Sequence, residues 1–526
     1  MVAFSIRDLS FTYPKQNKPA LCDISMDIPA GKISLICGVS GSGKSTLLRR
    51  LKTCLADHGE QTGEILFFGE PLRNIDERTQ AERIGFVFQN PDDQFVSDKV
   101  FHELAFGPES LGMRQDKMRV AVSEMASYFG LSDIFMKNAS ELSGGQKQLV
   151  DLAAAVVTHP DVLILDEPTS SLDPIAAAEL LNTLRSLNEE LGLTIIMTEQ
   201  RLEQALPMAD MLAVLDDGRL IACDTPKAAV KGLQGLDIFD SMPSAVRIFS
   251  SLGADDIPLN IREGRARLAD MNLRPMKFSP PESDISGDEL IKVKDCWFRY
   301  GREEPDVLRG LSLTLHKNEI CALVGANGSG KSTTVGLISG RLRPFKGKVI
   351  SSAKRISVLP QDPRELFACE TAIDELREMC NTEDKINSIV DFLHLGDVLN
   401  RHPFDLSGGQ QQRLALGKVL LTEPDVLLLD EPTKGMDGHF KLAFGDMLRL
   451  LRGRGLAILL VSHDIEFCAE YADSCALLFR GEMTACGETH ALFSENFFYT
   501  TAAAKLARGY IDGAVTSGEV VQCLSR

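Results

Sequence analysis

ISLICGVSGSGKST, residues 33–46, decides the fold. Ile33 to Cys37 is an uncharged run of buried-strand length, and Thr46-Leu47-Leu48-Arg49-Arg50-Leu51 reads as the first turns of a helix. Between them Gly38-Val39-Ser40-Gly41-Ser42-Gly43 leads into Lys44-Ser45-Thr46. Strand, glycine loop and helix in this order make a phosphate cradle. Glycines let the backbone bend around an anion and aim N–H groups at it. The helix N-terminus adds about half a positive charge. This reading puts Lys44 on the outer phosphates of a nucleotide and the Ser45 hydroxyl on Mg2+.

The stretch occurs twice. ICALVGANGSGKST (320–333) supplies Gly325, Ala326, Asn327, Gly328, Ser329, Gly330, Lys331, Ser332 and Thr333 in the same order. LSGGQKQ (142–148) returns as LSGGQQQ (406–412), and VLILDEPT (162–169) as VLLLDEPT (426–433). Tyr13 stands 31 residues before Lys44, as Tyr300 does before Lys331. Ser143 stands 23 before Asp166, as Ser407 does before Asp430. A repeat this long means two domains rather than a solenoid. In each, short Val/Ile/Leu runs alternate with helix-length amphipathic stretches, which predicts an α/β fold around a mostly parallel sheet.

Asp166 and Asp430 close apolar runs, where a carboxylate beside the glycine loop suits the water shell of Mg2+. Glu167 and Glu431 follow directly and are placed to polarise an attacking water.

The first domain is read as residues 1–235 and the second as 289–500. Between them, 236–288 is a connector: a small helical appendage, then the Pro-containing stretch KFSPPESDISGDE (277–289). Residues 501–526 are a C-terminal helix and tail. The formal net charge of −18 argues against broad nucleic-acid binding. No apolar run approaches the ~18–20 residues that span a bilayer, and MVAFSIRDLSFTYP has no signal-peptide pattern. The expectation is a cytoplasmic protein that meets a membrane only through a partner. The 12 cysteines form no CxxC pair and read as scattered reduced thiols.

These motifs resemble the ABC ATPases, across nearly all of both halves, and LSGGQ is the most specific mark. The resemblance implies ATP and Mg2+ as ligands. In each half it implies a RecA-like core, a helical subdomain and an antiparallel β subdomain. It implies that Ser143-Gly144-Gly145-Gln146 and Ser407-Gly408-Gly409-Gln410 each close on ATP held by the other half, so that the halves pair within one chain. Tyr13 and Tyr300 would stack on adenine, Gln89 and Gln361 would sense Mg2+ and the γ-phosphate, and Asp173 and Asp437 would be the D-loop acids. The family also places a histidine on the γ-phosphate. The second half has His463. The offset that carries Ala209-Asp210 onto Ala472-Asp473 puts Gln200 in that place in the first, where it can hydrogen-bond but cannot be cationic. Either the Gln200 site is slower or glutamine substitutes adequately.

FQNPDDQF (88–95), VFHELAFGPESLG (100–112), TEQRLE (198–203) and REGR (262–265) resemble the ATPases of energy-coupling factor importers. There the resemblance implies a Pro–acid–x–Gln pattern, fitted here by Asp92, Asp93 and Gln94, whose acid receives an arginine of a transmembrane coupling protein. Glu365 aligns with Asp93, but Leu366 replaces Gln94. A membrane substrate-binding protein would be a second partner, with the chain peripheral on the cytoplasmic face. The alternatives left open are a tandem ABC ATPase acting on ribosomes and an exporter ATPase.

Overall fold

The computed structural model describes residues 1–526 except 15, 17, 171, 281–286 and 526. The chain forms two compact units, Met1–Ser250 with Ala254–Asn260, and Ser251–Gly253 with Ile261–Arg526.

In the first unit a six-stranded sheet has the order Arg219–Asp224, Met211–Asp216, Ile33–Cys37, Thr194–Thr198, Val162–Leu165, Ile84–Val87. All pairs are parallel except the Met211–Asp216/Arg219–Asp224 hairpin. The central strands are buried along their whole length, which is why they read as continuous apolar runs. Their side chains still alternate. Leu35, Cys37, Leu163 and Met197 join a core with the helices of one face. Ile36, Val162, Ile164 and Ile196 join another with Leu47 and Leu48 and with Phe4, Ile6, Leu9 and Phe11. Those last four belong to Val2–Thr12, the inner strand of an antiparallel sheet with Leu21–Pro29 and Glu60–Phe67. A register shift between Ile6 and Leu9, with Asp8 at φ 48°, keeps both ends of that strand facing the core. The helical subdomain is built from Val100–Ser110, Gln115–Tyr128 and Gly144–Val156.

The second unit repeats this design. Its sheet order is Ile356–Leu359, Val426–Asp430, Ala457–Ser462, Ile320–Val324, Ser474–Phe479, Glu482–Glu488. An antiparallel sheet of Leu308–His316, Glu289–Phe298 and Lys346–Ser351 covers one face. The α/β reading of both halves holds.

The connector is not a body of its own. Ile238, Met242, Val246, Ile257 and Leu259 are buried in the first unit's core. Ile261–Asp270 belongs to the second unit, where Arg265 Nη1 donates to the carbonyls of Lys505 and Arg508, both at 2.9 Å. Met276–Lys277 pairs in parallel with Ile511–Asp512. The late connector and the C-terminal tail therefore form one appendage of the second unit. The two compact units divide near residues 250–261. Part of the Pro-containing stretch, 281–286, lies outside the described residues. No helix among the described residues is long and apolar enough to cross a membrane.

The helical subdomains differ at two buried ionisable positions. In the second unit Lys418 is paired with Glu375 and lies 2.9 Å from Glu378. The first unit has Ala154 at that position and carries Asp151 where the second has Ala415. Asp151 is fully buried, and neither carboxylate oxygen has a partner. Burial, then Glu103 and Asp92, push this carboxyl up to about 8 against the pull of Lys147. The unfolded chain ionises the group near its ordinary 3.8, so its contribution to stability falls as pH rises from there toward 8. Asp151→Asn is expected to raise the unfolding midpoint more at about pH 8.5 than at about pH 5. Each kcal/mol is worth about 2–4 °C for a unit of this size. Thermal melts of both proteins at the two pH values check it.

Candidate functional site

The parallel register brings three strand ends together in each unit. Ile36 lies beside Thr198 and Leu165 beside Met197, so Gly38, Asp166-Glu167 and Glu199-Gln200 emerge side by side at the carboxyl edge of the sheet. Val324 beside Ser462 and Asp430 beside Val461 do the same for Gly325, Glu431 and His463.

Each glycine loop ends in a residue that must be glycine. Gly43 has φ 96° and Gly330 φ 105°, and a Cβ there would lie 2.6 Å from the Ala20 carbonyl or the Leu308 side chain. The helices Lys44–Arg50 and Lys331–Ile338 start directly after them. Lys44 Nζ donates to the carbonyls of Gly38 (2.8 Å) and Val39 (3.0 Å). Lys331 Nζ donates to those of Gly325 (2.9 Å) and Ala326 (3.1 Å). Both ammonium groups are held over the loop that would wrap the phosphates. Ser42 Oγ and Ser329 Oγ, at matching places in the two loops, are buried without a hydrogen-bond partner. A hydroxyl orphaned in this position fits a phosphate oxygen. Tyr13 and Tyr300 each hydrogen-bond a threonine of that helix, Thr46 at 2.9 Å and Thr333 at 3.1 Å. Tyr300 is 62% exposed, so its ring is available for stacking rather than spent on the core.

Glu167 and Glu431 adopt left-handed backbone, φ 45° and 50°. A non-glycine residue keeps that conformation only when its surroundings hold it. In the first unit Thr198 does so: its hydroxyl accepts from Glu167 N (2.9 Å) and donates to Asp166 Oδ1 (2.8 Å). In the second, Glu431 N donates to the Val461 carbonyl at 2.9 Å.

The carboxylates themselves have different company. Glu167 receives Gln200 Nε2 at 2.8 and 2.9 Å and Gln89 Nε2 at 2.7 Å. Glu431 lies 2.6 Å from His463 Nδ1 and 3.6 Å from Lys331 Nζ. Burial pushes the Glu431 carboxyl up, but His463 and Lys331 outweigh it and leave it below the ordinary carboxylate range. The structure thus places Gln200 on Glu167 as it places His463 on Glu431.

The Asp430 carboxyl is pushed up by burial and drawn back by a hydrogen bond to Ser332. Its Oδ1 is buried and partnerless. An orphaned carboxylate oxygen beside a serine hydroxyl is the hard-oxygen donor set that Mg2+ prefers, so these residues fit the ion.

The signature segments are exposed helix starts. Ser143 caps Gly144–Val156 through Gln146 N (3.3 Å), and Gln146 Oε1 accepts from Ser143 N (3.0 Å). Ser407 and Gln410 form the same reciprocal cap. Asp173 and Asp437 cap the helices Pro174–Leu191 and Gly438–Gly453.

After Gln89, Asn90 caps the short turn Pro91–Asp93. Gln94 is turned inward, its Oε1 accepting from Phe88 N at 2.9 Å. Asp92 is paired with Lys147 of the signature helix, a contact between residues 55 apart that sequence reading missed. Asp93 is exposed. In the second unit Asp362 caps Pro363–Leu366 and is held by Arg364, and Glu365 is exposed beyond Gln361. Sequence reading also missed Glu199, although aligning it with Ser462 across the repeat would have flagged it.

The ABC transporter family model matches residues 21–170 and 308–434. A Bacillus thuringiensis subsp. konkukian protein carrying the name ABC transporter ATP-binding protein is 38% identical over 99% of this chain and 98% of its own length. A Streptomyces coelicolor protein of the same name is 34% identical over 91% and 93%. Among solved structures, an archaeal ribosome recycling factor, aABCE1, in complex with the ribosomal stalk protein aP1, aligns with 90% of this chain and 88% of its own at TM-score 0.59 and 22% identity. That likeness is one of fold. CbiO1 of Clostridium perfringens, part of the ABC transporter complex cbiONQ, aligns with 51% of this chain and 97% of its own at TM-score 0.42 and 29% identity.

Proposed function

The chain belongs to the ABC transporter ATP-binding family, and from that premise we propose that it is the ATP-hydrolysing subunit of an importer of the energy-coupling factor type. In this reading it is peripheral on the cytoplasmic face of a membrane and docks on an integral coupling protein that works with a separate substrate-binding protein.

Hydrolysis rests on residues of both sites. Loop N–H groups with Lys44 or Lys331 hold the β- and γ-phosphates, and Tyr13 or Tyr300 stacks on the adenine. Glu167 or Glu431 orients the attacking water in line with the γ-phosphate. Ser45 with Asp166, and Ser332 with Asp430, would hold Mg2+, together with Gln89 and Gln361. When bound, the ion neutralises charge developing on the phosphate oxygens.

The observation that carries the importer reading is the turn after Gln89. Lys147 fixes Asp92 to the helix that starts at the signature, while Asp93 stays exposed on the same turn. An arginine of a membrane partner seated on Asp93 would make a charge-assisted contact to a turn that moves with the nucleotide-sensing glutamine. Tagged chain recovered from detergent-solubilised membranes is expected to bring down two integral membrane proteins. Asp93→Arg is expected to cut that recovery about tenfold, as for loss of a paired charge, with ATPase of the isolated chain retained. Cosedimentation with ribosomes instead, unaffected by Asp93→Arg, would overturn the importer reading.

A further inference from the structure

Four consecutive residues tie the end of the strand Thr194–Thr198 to the segment that carries Glu167. Thr198 bonds Asp166 and Glu167 N, and Gln200 bonds the Glu167 carboxylate. Arg201 Nη1 donates to the Leu172 carbonyl at 2.8 Å. Between them, Glu199 accepts from both Thr169 N (3.0 Å) and Thr169 Oγ1 (2.8 Å). Glu199 is 2% and Thr169 1% exposed. A buried carboxylate that takes two donors from one residue is a rigid, charge-assisted clamp.

Among the described residues the second unit lacks this clamp. Ser462 stands in place of Glu199, and its hydroxyl accepts from Asp464 N at 3.0 Å. Asp464 then turns to Lys441, at 2.5 Å on a different helix. There Glu431 meets the His463 ring and Lys331. The clamp therefore occurs in the half that holds a neutral amide, Gln200, at the position of His463, here termed the switch position.

We propose that Glu199 is a positioning residue of the first nucleotide site: by pinning Thr169 it steadies the turn that Thr198 holds and keeps Glu167 in register with Gln200, a contact for which Ser462 gives the second site no counterpart. This rests on the ATPase reading above. It asks nothing of Glu199 in nucleotide contact, so the clamp should act on turnover and leave affinity alone. It also requires the carboxylate, since a proton on Glu199 removes one of its two acceptors. Burial pushes this carboxyl up to about 7. Glu167 adds to the push, and the Thr169 hydrogen bonds and Arg201 oppose it.

The test is single-turnover ATP hydrolysis with protein in excess, from about pH 5.5 to about 8.5, in a Glu431→Gln chain that leaves the first site's carboxylate intact. In that chain the rate is expected to fall as pH drops through about 7. Glu199→Ser should slow it about tenfold at high pH, as a small misplacement of a reacting group does, with ATP affinity within about twofold. Glu199→Gln, which like the protonated carboxyl keeps one oxygen acceptor, should hold the parent's low-pH rate across the whole range and so lose the pH dependence. In a Glu167→Gln chain, Glu199→Ser should leave the second site's rate unchanged. Turnover within about twofold of the parent in Glu199→Ser, an unaltered pH profile in Glu199→Gln, or equal losses in both backgrounds would overturn the clamp alone. A Glu431→Gln parent without hydrolysis that Lys44→Ala removes would overturn the two-site ATPase reading and the clamp with it.

Discussion

Glu431→Gln is expected to lower steady-state ATP hydrolysis by about 10²–10³-fold, while Glu167→Gln leaves most of it. The two glutamates sit at matching strand ends and share a left-handed backbone, so position does not separate them. Their partners do. His463 and Lys331 overcome the effect of burial and keep Glu431 in its acceptor form, which the proposed role of orienting water and taking up its proton requires. Glu167 receives the amides of Gln89 and Gln200, so the neutral Gln200 amide stands where Glu431 has the His463 ring. A preorganised charge in a buried site counts for far more than the same charge in water. Phosphate release from Mg2+-ATP by the two variants, purified in parallel, decides the matter. Equal losses would mean that the two sites turn over alike.

This asymmetry was only half legible in the sequence. Gln200 is found opposite His463 by alignment of the repeat, because both follow an apolar strand that the local pattern announces. The strand–loop–helix units were legible for the same reason: buried parallel strands must be continuous apolar runs, and a phosphate loop must be rich in glycine. What local pattern does not encode is which distant group completes a contact. The connector's helical spacing was visible, but not that Arg265 would close the helix Ala502–Ala507 some 240 residues on. The ion pair of Asp92 with Lys147, 55 residues on, has no local signal either. Glu199 gave no periodic signal. Its only mark was an acid where the other half has Ser462, and its meaning depends on Thr169, brought near by the parallel pairing of two strands.

The second large effect is expected at the switch position. His463→Gln should lower ATP hydrolysis about 10²-fold, the cost of one donor aimed at developing charge. The reason lies in what each side chain offers beyond its glutamate. An imidazole engaged with Glu431 through Nδ1 has its second nitrogen on the opposite edge of a rigid ring, where it can carry an N–H toward a phosphate oxygen. Gln200 spends its Nε2 on both oxygens of Glu167, and the other end of its amide is a carbonyl oxygen, which repels an anion. Glutamine can turn one N–H to a phosphate only by releasing one oxygen of the glutamate, and it brings no charge; a histidine protonated on both nitrogens keeps its Glu431 contact and adds a second, charged donor. The converse substitution follows from the same chemistry. In a Glu431→Gln chain, where the first site's carboxylate alone remains intact, Gln200→His should raise residual hydrolysis several-fold. Single-turnover rates of the four proteins check both directions. A Gln200→His chain no faster than its parent, beside a His463→Gln chain no slower than wild type, would show that the switch residue does not set the difference between the sites.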